Sequence, residues 1–285
     1  MSFRNSLVGS LCILVSAFSF SASAGQQTTP WAHFKKIMII VLENTDYDEA
    51  LKQPFMSKLT QQGALFTNFN AESHPSQPNY IAMVSGSTQG VTGDGNVNLS
   101  VSHIGDLLEA KGLDWKVYAE DFPGNCFQGA TQSRYARKHV PFISFKNVQT
   151  NPARCKKIVE AAALNTDIQN GTVPAFSLYV PNLDNDGHDT GAAYADSWLS
   201  KTFGPRLANP QFSKDMLLVV TFDENEGTAG NQIFTTLVGD SVAPGATSNT
   251  NLNHYSLIKL VEDEYGLGSL GKGDAQSTGI TGIWK

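Results

Sequence analysis

The chain has 285 residues, 41% of them hydrophobic, and it carries 20 basic against 26 acidic residues for a formal net charge of −6. This apolar content supports a large folded core and excludes a disordered chain. The negative balance, without any basic cluster, excludes a nucleic-acid surface, so no nucleic-acid partner is expected.

The first 24 residues have the features of a secretory signal peptide. One basic residue, Arg4, precedes a short apolar stretch, and an Ala-Ser-Ala triplet precedes Gly25. Cleavage before Gly25 leaves residues 25–285, which we expect to form a single domain because no linker or internal repeat divides them. We expect the mature protein in the periplasm or outside the cell. No second apolar stretch approaches the length of a membrane span, so no stable membrane anchor is expected.

Two cysteines, Cys126 and Cys155, remain after removal of the signal peptide. Outside the cytosol, two cysteines this close in sequence are expected to pair. The sequence therefore predicts a disulfide that ties down the irregular stretch between them.

Apolar runs and helical patterns alternate along the rest of the chain. The apolar runs predict strands at residues 37–42, 115–119, 175–180, 216–222 and 233–238. Helical patterns cover residues 54–63, 104–111, 152–163 and 192–203, and further helices begin beside Ser76 and His254. This alternation predicts an α/β fold with a mostly parallel central sheet covered by helices on both faces.

Polar side chains follow several predicted strands at their carboxyl ends. These residues are all able to bind a metal: Glu43, Asn44, Asp184, His188, Asp223 and Glu224. Ligands bind at the carboxyl edge of open parallel sheets, so we expect these side chains to converge on one site. Ser76 and His254, at helix starts, are expected nearby.

Ser76 stands two residues before Pro78, at the start of a helical run. Proline is tolerated in the first turn of a helix, so Ser76 is expected at the cap, beside unpaired backbone N–H groups that can hold an anion. A hydroxyl is a poor nucleophile until it loses its proton, and a bound cation lowers its pKa. The sequence therefore favours displacement at phosphorus by Ser76.

Four oxygen ligands are expected around Ser76: Glu43, Asn44, Asp223 and Glu224. This set suits Mg²⁺, Ca²⁺ or Mn²⁺ better than Zn²⁺. Asp184, His188 and His254 form an Asp/His/His set that could hold a second, softer ion. The two imidazoles could instead stay free of metal, stabilising phosphoryl oxygens and protonating the leaving alkoxide. The sequence leaves both options open.

Four motifs carry a resemblance to a known family: Glu43-Asn44, Ser76-Gln77-Pro78-Asn79, the stretch from Asp184 through Gly187-His188 to Gly191, and Asp223-Glu224. Together they resemble the phosphoesterase family of bacterial secreted acid phosphatases and phospholipases C, within the alkaline-phosphatase-like superfamily. The match covers nearly the whole mature chain in the expected order. The resemblance implies a three-layer α/β sandwich.

The resemblance also implies a function, a secreted metal-dependent acid phosphatase that hydrolyses phosphomonoesters through a phosphoserine on Ser76. The implied metal ligands are Glu43, Asn44, Ser76, Asp223 and Glu224. Asp184, His188 and His254 fill the second metal site of two-metal relatives, and the two histidines are candidate catalytic residues. Glu224 stands where many superfamily members have histidine, which favours one divalent ion and leaves Zn²⁺ open. The implied substrate is a small-molecule or lipid-headgroup phosphoester.

Several alternatives remain. A phospholipase C-type phosphodiesterase is the alternative within the family. A sulfatase turn resembling this one carries a basic residue where Tyr80 stands, and the Gly-x-Ser-x-Gly elbow of a serine esterase is absent from the sequence. A secreted cation-binding module would explain the carboxylates but not Ser76, His188 and His254.

Other polar residues receive plainer interpretations. His74, beside Pro75, is open between a substrate contact and a structural hydrogen bond. His103 and His139 are interpreted as solvated side chains, and Glu120 as a supporting residue at the same sheet edge.

Overall fold

Strands and helices alternate through the part of the chain that the structure, a computed structural model, describes: residues 1–2, 33–227 and 230–285. The strands are β1 (Lys36–Leu42), β2 (Ala64–Phe66), β3 (Phe69–Asn70), β4 (Trp115–Ala119), β5 (Thr131–Gln132), β6 (Tyr135–Ala136), β7 (Ile158–Glu160), β8 (Phe176–Val180), β9 (Met216–Phe222), β10 (Thr235–Gly239), β11 (Ala246–Ser248) and β12 (Leu252–Asn253). The helices are α1 (Tyr47–Lys52), α2 (Pro54–Gln62), α3 (Ser76–Ser85), α4 (Ile104–Ala110), α5 (Lys146–Gln149), α6 (Pro152–Cys155), α7 (Ala163–Asn170), α8 (Ala192–Leu207), α9 (Pro210–Ser213), α10 (His254–Tyr265) and α11 (Gly273–Gln276). Apart from its first two residues, the predicted signal peptide, residues 1–24, lies outside the described residues.

Eight of the described strands form the central sheet, in the order β11-β2-β10-β9-β1-β8-β4-β7. Strand β10 is antiparallel to both of its neighbours, β9 and β2, and the other adjacent pairs are parallel. This confirms the predicted mostly parallel sheet.

Strands β1 and β9 form the apolar centre of the sheet. Every side chain from Ile37 to Leu42 and throughout β9 is buried. A continuous apolar sequence is what a parallel strand needs when both of its faces are covered. Leu42 is paired in register with Phe222. The chain therefore leaves the sheet at adjacent points, with Glu43 following β1 and Asp223 following β9.

Helices cover the sheet on both sides, as predicted. Helix α3 packs against α4 and α10, whereas α2 packs against α8. All residues of α3 are buried, so its N-terminal end is held firmly beside the carboxyl ends of the parallel strands. Among the described residues, no helix combines the length and apolar character that crossing a membrane requires.

The predicted helix at residues 152–163 is wrong. Helix α6 ends at Cys155, and β7 follows it as an edge strand paired with β4. Pairing with a sheet edge outweighs the local helical pattern here, as tertiary contacts often do. The helical pattern resumes only in α7.

The stretch between Phe122 and Asn151 is built from short pieces. It contains the hairpin of β5 and β6, helix α5, and two 3-10 turns at Arg137–His139 and Pro141–Ser144. Cys126 and Cys155 are joined in a disulfide with their Cα atoms 5.3 Å apart, which confirms the predicted pairing.

Candidate active site

Ser76 is the first residue of α3, and Pro75 takes the cap position predicted for it. Its Oγ lies 3.1 Å from Oε2 of Glu43 and 3.3 Å from Oε1 of Glu224, and the residue is 2% exposed. A hydroxyl has one proton and two lone pairs. Ser76 can therefore donate to a carboxylate while its oxygen stays available as a ligand or nucleophile.

Asn44 joins the two strand ends to each other. Its backbone N–H donates to Oδ1 of Asp223 at 3.3 Å, and its Nδ2 donates to Oε1 of Glu224 at 3.1 Å. Asn44 has a φ of 21°, and asparagine tolerates positive φ better than most residues. The structure thus brings all five residues of the expected metal set together: Glu43, Asn44, Ser76, Asp223 and Glu224.

Burial and mutual repulsion raise the pKa of the carboxyl groups in this cluster. Burial, followed by the charges of Asp223 and Asp186, holds the pKa of Glu43 well above its usual value. Burial and the charge of Glu224 do the same to the pKa of Asp223. Burial also raises the pKa of Glu224. The three groups resist ionising together, and a cation bound among them would remove that resistance.

Two buried oxygen atoms in the cluster, Oδ1 of Asn44 and Oδ2 of Asp223, have no hydrogen-bond partner among the described residues. A buried polar atom without a partner costs free energy, and a metal ion would supply the missing partner. The donors are carboxylate, amide and hydroxyl oxygens, which Mg²⁺, Ca²⁺ and Mn²⁺ prefer. The residues present therefore fit a divalent ion.

Glu43 also belongs to a second buried cluster, with His139 and Asp186. Their ligand atoms lie within 4.8 Å of one another, and within the described ranges this is the one such group of three that could hold a metal. Nε2 of His139 lies 3.2 Å from Oε1 of Glu43, and Nδ1 lies 3.5 Å from Oδ2 of Asp186. The imidazole of His139 therefore sits between two carboxylates.

The structure does not bring Asp184, His188 and His254 together as the expected second metal site. Oδ2 of Asp184 pairs with Nε of Arg134 at 3.1 Å. The His188 side chain is 38% exposed, and its ring centre lies 6.3 Å from that of His139. The contact with His139 therefore places His188 at the rim of the cluster.

His254 is completely buried beneath the site. Its Nε2 donates to the carbonyl oxygen of Phe222 at 3.1 Å. Burial lowers the pKa of His254 to about 4. At mildly acidic pH this imidazole is neutral, so it lacks the proton that the expected role as acid requires.

Known proteins are similar in sequence to this chain along most of its length. The sequence profile of the phosphoesterase family matches residues 50–268. The chain belongs to the phosphoesterase family. A protein of Kluyveromyces lactis named probable acid phosphatase is 38% identical over 275 residues, which cover 88% of this chain and 65% of that protein. A phosphatidylinositol-3-phosphatase of Mycobacterium tuberculosis is 35% identical over 256 residues, covering 88% of this chain and 83% of that protein.

This phosphoesterase-family chain spans less than two thirds of the length of the fungal acid phosphatases that it matches. Among solved structures, a protein of the alkaline phosphatase superfamily from Vibrio parahaemolyticus aligns with a TM-score of 0.60 at 13% identity. The alignment covers 85% of this chain and 70% of that one. At this identity the likeness concerns the fold alone, and it confirms the alkaline-phosphatase-like α/β sandwich.

Sequence reasoning missed two residues of the candidate site in this phosphoesterase-family chain, His139 and Asp186. His139 was expected in solvent but is 1% exposed, and Asp186, also 1% exposed, lies two positions after the predicted Asp184. The Asp-Asn-Asp-Gly-His stretch was a usable signal for Asp186, although only the fold shows which aspartate turns inward. The irregular stretch around His139 has no period that could have signalled it. His103 was also expected in solvent, yet it is buried and caps α4.

His74 adds a partly exposed imidazole beside Ser76. Its Nδ1 lies 2.7 Å from Oε2 of Glu224, and its side chain is 43% exposed. The backbone N–H of Ser73 donates to Oδ1 of Asn79 at 2.9 Å, which holds the preceding loop against α3. The structure thus gives His74 a structural contact, on the side of the cluster that solvent reaches.

Proposed function

We propose that this chain is a secreted, metal-dependent acid phosphatase that hydrolyses phosphomonoesters through a phosphoserine intermediate on Ser76. One observation carries the proposal. The buried Ser76 hydroxyl lies 3.1 Å from Glu43 and 3.3 Å from Glu224, in a cluster that contains unpaired oxygen atoms. Acid phosphatases that are 35 to 38% identical to this chain support the reaction class.

The proposed ion is held by oxygen atoms of five residues: Glu43, Asn44, Ser76, Asp223 and Glu224. When bound, a divalent ion supplies positive charge that lowers the pKa of the Ser76 hydroxyl and offsets the charge of the phosphoryl group. The hard oxygen donors favour Mg²⁺, Ca²⁺ or Mn²⁺. A second ion, if one binds, would use Glu43, His139 and Asp186 in place of the set expected from the sequence.

The chain's own residues carry the two half-reactions. The Ser76 hydroxyl gives its proton to the Glu43 or Glu224 carboxylate, and Oγ attacks phosphorus. The Oγ–P bond forms while the bond from phosphorus to the leaving oxygen breaks, and the departing alkoxide takes up a proton. Water then attacks the phosphoserine, releasing inorganic phosphate and restoring the Ser76 hydroxyl. One ester and one water thus give one alcohol and one phosphate.

We propose His188 as the acid that protonates the leaving alkoxide. It is partly exposed at the rim of the cluster, where an alcohol can leave, and its Nδ1 lies 2.7 Å from Oδ1 of Asp189. A carboxylate in that position accepts a hydrogen bond from Nδ1 and orients the ring. We leave His254 out of the proposed catalytic residues because it is buried against Phe222.

The names of the relatives support a phosphomonoester as substrate, since one is an acid phosphatase and another acts on phosphatidylinositol 3-phosphate. We infer a small-molecule or lipid-headgroup phosphomonoester. Location in the periplasm or outside the cell is supported by the predicted signal peptide and by the disulfide, since disulfides persist in oxidising compartments. The single domain proposed for residues 25–285 is supported by the one compact unit to which the described residues 33–227 and 230–285 belong.

An assay with nitrophenyl phosphate and bis(nitrophenyl) phosphate tests the proposal. We expect chelation to abolish monoester hydrolysis and Mg²⁺, Ca²⁺ or Mn²⁺ to restore it. Ser76→Ala should lower kcat by roughly a thousandfold or more, because loss of a covalent nucleophile costs at least this much in other hydrolases. Acid quenching during turnover should leave the mass of one phosphoryl group on the peptide that contains Ser76.

Ser57→Ala, a serine replacement on α2 away from the site, is the matched control and should keep full activity. Turnover in Ser76→Ala close to that of the unaltered protein would remove Ser76 as the nucleophile. Faster hydrolysis of the diester than of the monoester would instead indicate a phospholipase C-type enzyme. Metal-dependent thermal stabilisation without turnover of either ester would indicate a cation-binding module.

A further inference from the structure

Carboxyl groups dominate the surroundings of Ser76. Four carboxyl groups lie in the two clusters that share Glu43: Glu43, Asp186, Asp223 and Glu224. An ionised phosphomonoester brings nearly two further negative charges at neutral pH. Such a substrate needs positive charge from the protein as well as from a metal ion.

Lys138 lies where it can supply that charge. Its Nζ is 2.9 Å from Oδ2 of Asp94, and Oδ1 of Asp94 accepts the backbone N–H of Gln77 at 3.0 Å. Gln77 directly follows Ser76. One carboxylate therefore joins the Lys138 ammonium to the backbone next to the proposed nucleophile.

The turn that carries Lys138 is fixed on both sides. Arg137 is 3% exposed, and its guanidinium donates to the carbonyl oxygens of Gln128 at 2.9 Å and Val97 at 2.7 Å. On the other side, Nε2 of His139 lies 3.2 Å from Oε1 of Glu43. Lys138 is thus held between two anchored residues, and its side chain is 21% exposed.

The ammonium of Lys138 has hydrogen-bonding capacity to spare. It carries three N–H donors, and the contact with Asp94 uses one of them. Burial lowers the pKa of Lys138, but the hydrogen bond with Asp94 and the charges of Glu43 and Asp223 outweigh burial and raise it. Like an ordinary lysine, the side chain is charged at acidic and neutral pH.

We propose that Lys138 binds a non-bridging phosphoryl oxygen of the substrate and thereby selects phosphomonoesters over phosphodiesters. A monoester above its second pKa of about 6 carries one more negative charge than a diester. The positively charged ammonium therefore attracts the monoester more strongly than the diester. Asp94 holds the ammonium at the start of α3. The inference rests on the proposed phosphatase function, whose substrate preference it explains.

Kinetics on a monoester and a diester test this role. Lys138→Met should lower kcat/KM for nitrophenyl phosphate by about 10- to 100-fold above pH 6, the loss that corresponds to one charged hydrogen bond. The same variant should change kcat/KM for bis(nitrophenyl) phosphate by less than about threefold. Lys138→Arg should retain the preference for the monoester. Lys146→Met, which removes an exposed lysine on α5, is the matched control and should leave both substrates unaffected.

A double variant distinguishes a direct contact between Lys138 and the substrate from an effect of the net charge of the site. Lys138→Met with Asp94→Asn removes one charge of each sign, so the site keeps its net charge. A monoester defect that persists in the double variant supports a direct contact, whereas full recovery overturns it. Equal losses on monoester and diester in Lys138→Met would also overturn the proposal.

Calorimetric titration with inorganic phosphate measures how tightly the protein binds this anion, without any hydrolysis. The full protein should bind phosphate at least about tenfold more tightly than Lys138→Met does, and equal affinities would overturn the role of Lys138. If the unaltered protein hydrolyses neither ester, the proposed function fails. The phosphate titration still decides whether Lys138 binds the anion.

Discussion

The Tyr80 hydroxyl donates a hydrogen bond of 2.5 Å to Oε1 of Glu43. The ring of Tyr80 also stacks on His139, with the ring centres 5.0 Å apart. Tyr80 lies four residues after Ser76 on α3, so both side chains lie on the same face of the helix. One helix therefore presents the proposed nucleophile and also orients a proposed metal ligand.

Removal of the Tyr80 hydroxyl should weaken metal binding while the fold persists. We expect Tyr80→Phe to need about tenfold or more metal for half-maximal activity, the usual effect of losing a group that orients a ligand. Metal titrations of activity and of thermal unfolding measure this. Tyr135→Phe is the matched control, because the buried Tyr135 hydroxyl has no hydrogen-bond partner among the described residues. Identical metal dependence in the two variants would show that Glu43 needs no help from Tyr80.

The two candidate histidines should respond differently to the leaving group. An alkyl phosphate departs as a strong base and needs a proton, whereas nitrophenyl phosphate departs as a weak base. We expect His188→Ala to slow glycerol phosphate by about 100-fold and nitrophenyl phosphate much less. His254→Gln should affect both substrates equally, since His254 is buried against the Phe222 carbonyl. A selective loss on glycerol phosphate in His254→Gln would return the acid role to His254.

Glu120 fixes the loop that follows β8, and its removal should destabilise the protein. Its carboxylate accepts hydrogen bonds at 2.6 to 3.1 Å from four groups: the Tyr179 hydroxyl, the Trp198 indole, the Asn182 backbone N–H and the Asn185 amide. Glu120→Ala leaves these donors unpaired and should lower the free energy of unfolding by about 3 kcal/mol, as measured by urea denaturation. Activity should fall as well, because the loop carries Asp186 and His188.

Asp121→Asn is the control for this variant. Asp121 makes one exposed hydrogen bond, at 3.0 Å to the Asn182 amide, so its replacement should change stability by less than about 0.5 kcal/mol. Equal stability of the Glu120 and Asp121 variants would contradict the anchoring role of Glu120.

Glu262 should make stability fall as pH rises. Burial and then the charge of Asp274 raise the pKa of Glu262 from 4.5 to about 8. Between these two values the folded protein keeps a proton that the unfolded chain has lost, so the free energy of unfolding decreases with rising pH. Glu262→Gln stays neutral and can still accept the Leu270 N–H, which lies 3.0 Å from Oε1 of Glu262. At pH 8, near the pKa of Glu262, this variant should melt roughly 2–4 °C higher than the unaltered protein.

Thermal unfolding followed from pH 5 to pH 8 measures the slope that Glu262 contributes. Glu49→Gln, which replaces an exposed glutamate on α1, is the control and should keep the slope of the unaltered protein. A slope that persists unchanged in Glu262→Gln would assign the pH dependence to other groups.

The sheet and its acidic edge are predictable from the sequence because they depend on local patterns. Continuous apolar runs predict β1 and β9 as buried parallel strands. Because the carboxyl ends of parallel strands lie at the same edge of a sheet, Glu43 and Asp223 are then expected close together. The position of His139 cannot be predicted in this way, because only tertiary contacts bring it to the site. His139 lies on a 3-10 turn that is fixed by Arg137. The buried guanidinium of Arg137 donates hydrogen bonds to the carbonyl oxygens of Gln128 and Val97, which are distant in sequence. The burial of Asp186 is also not predictable from the sequence, because the conformation of the folded loop determines that its side chain points inward.

The disulfide between Cys126 and Cys155 restrains both ends of the segment on which Lys138 and His139 lie. A reduced chain has one restraint fewer on the two residues that contact Asp94 and Glu43. Phosphate binding by the protein before and after reduction measures this restraint, and equal affinities would show that it has no effect. If the chain is exported as proposed, formation of the disulfide outside the cytosol would act as a maturation step, because the segment that carries Lys138 and His139 would gain this restraint only after export.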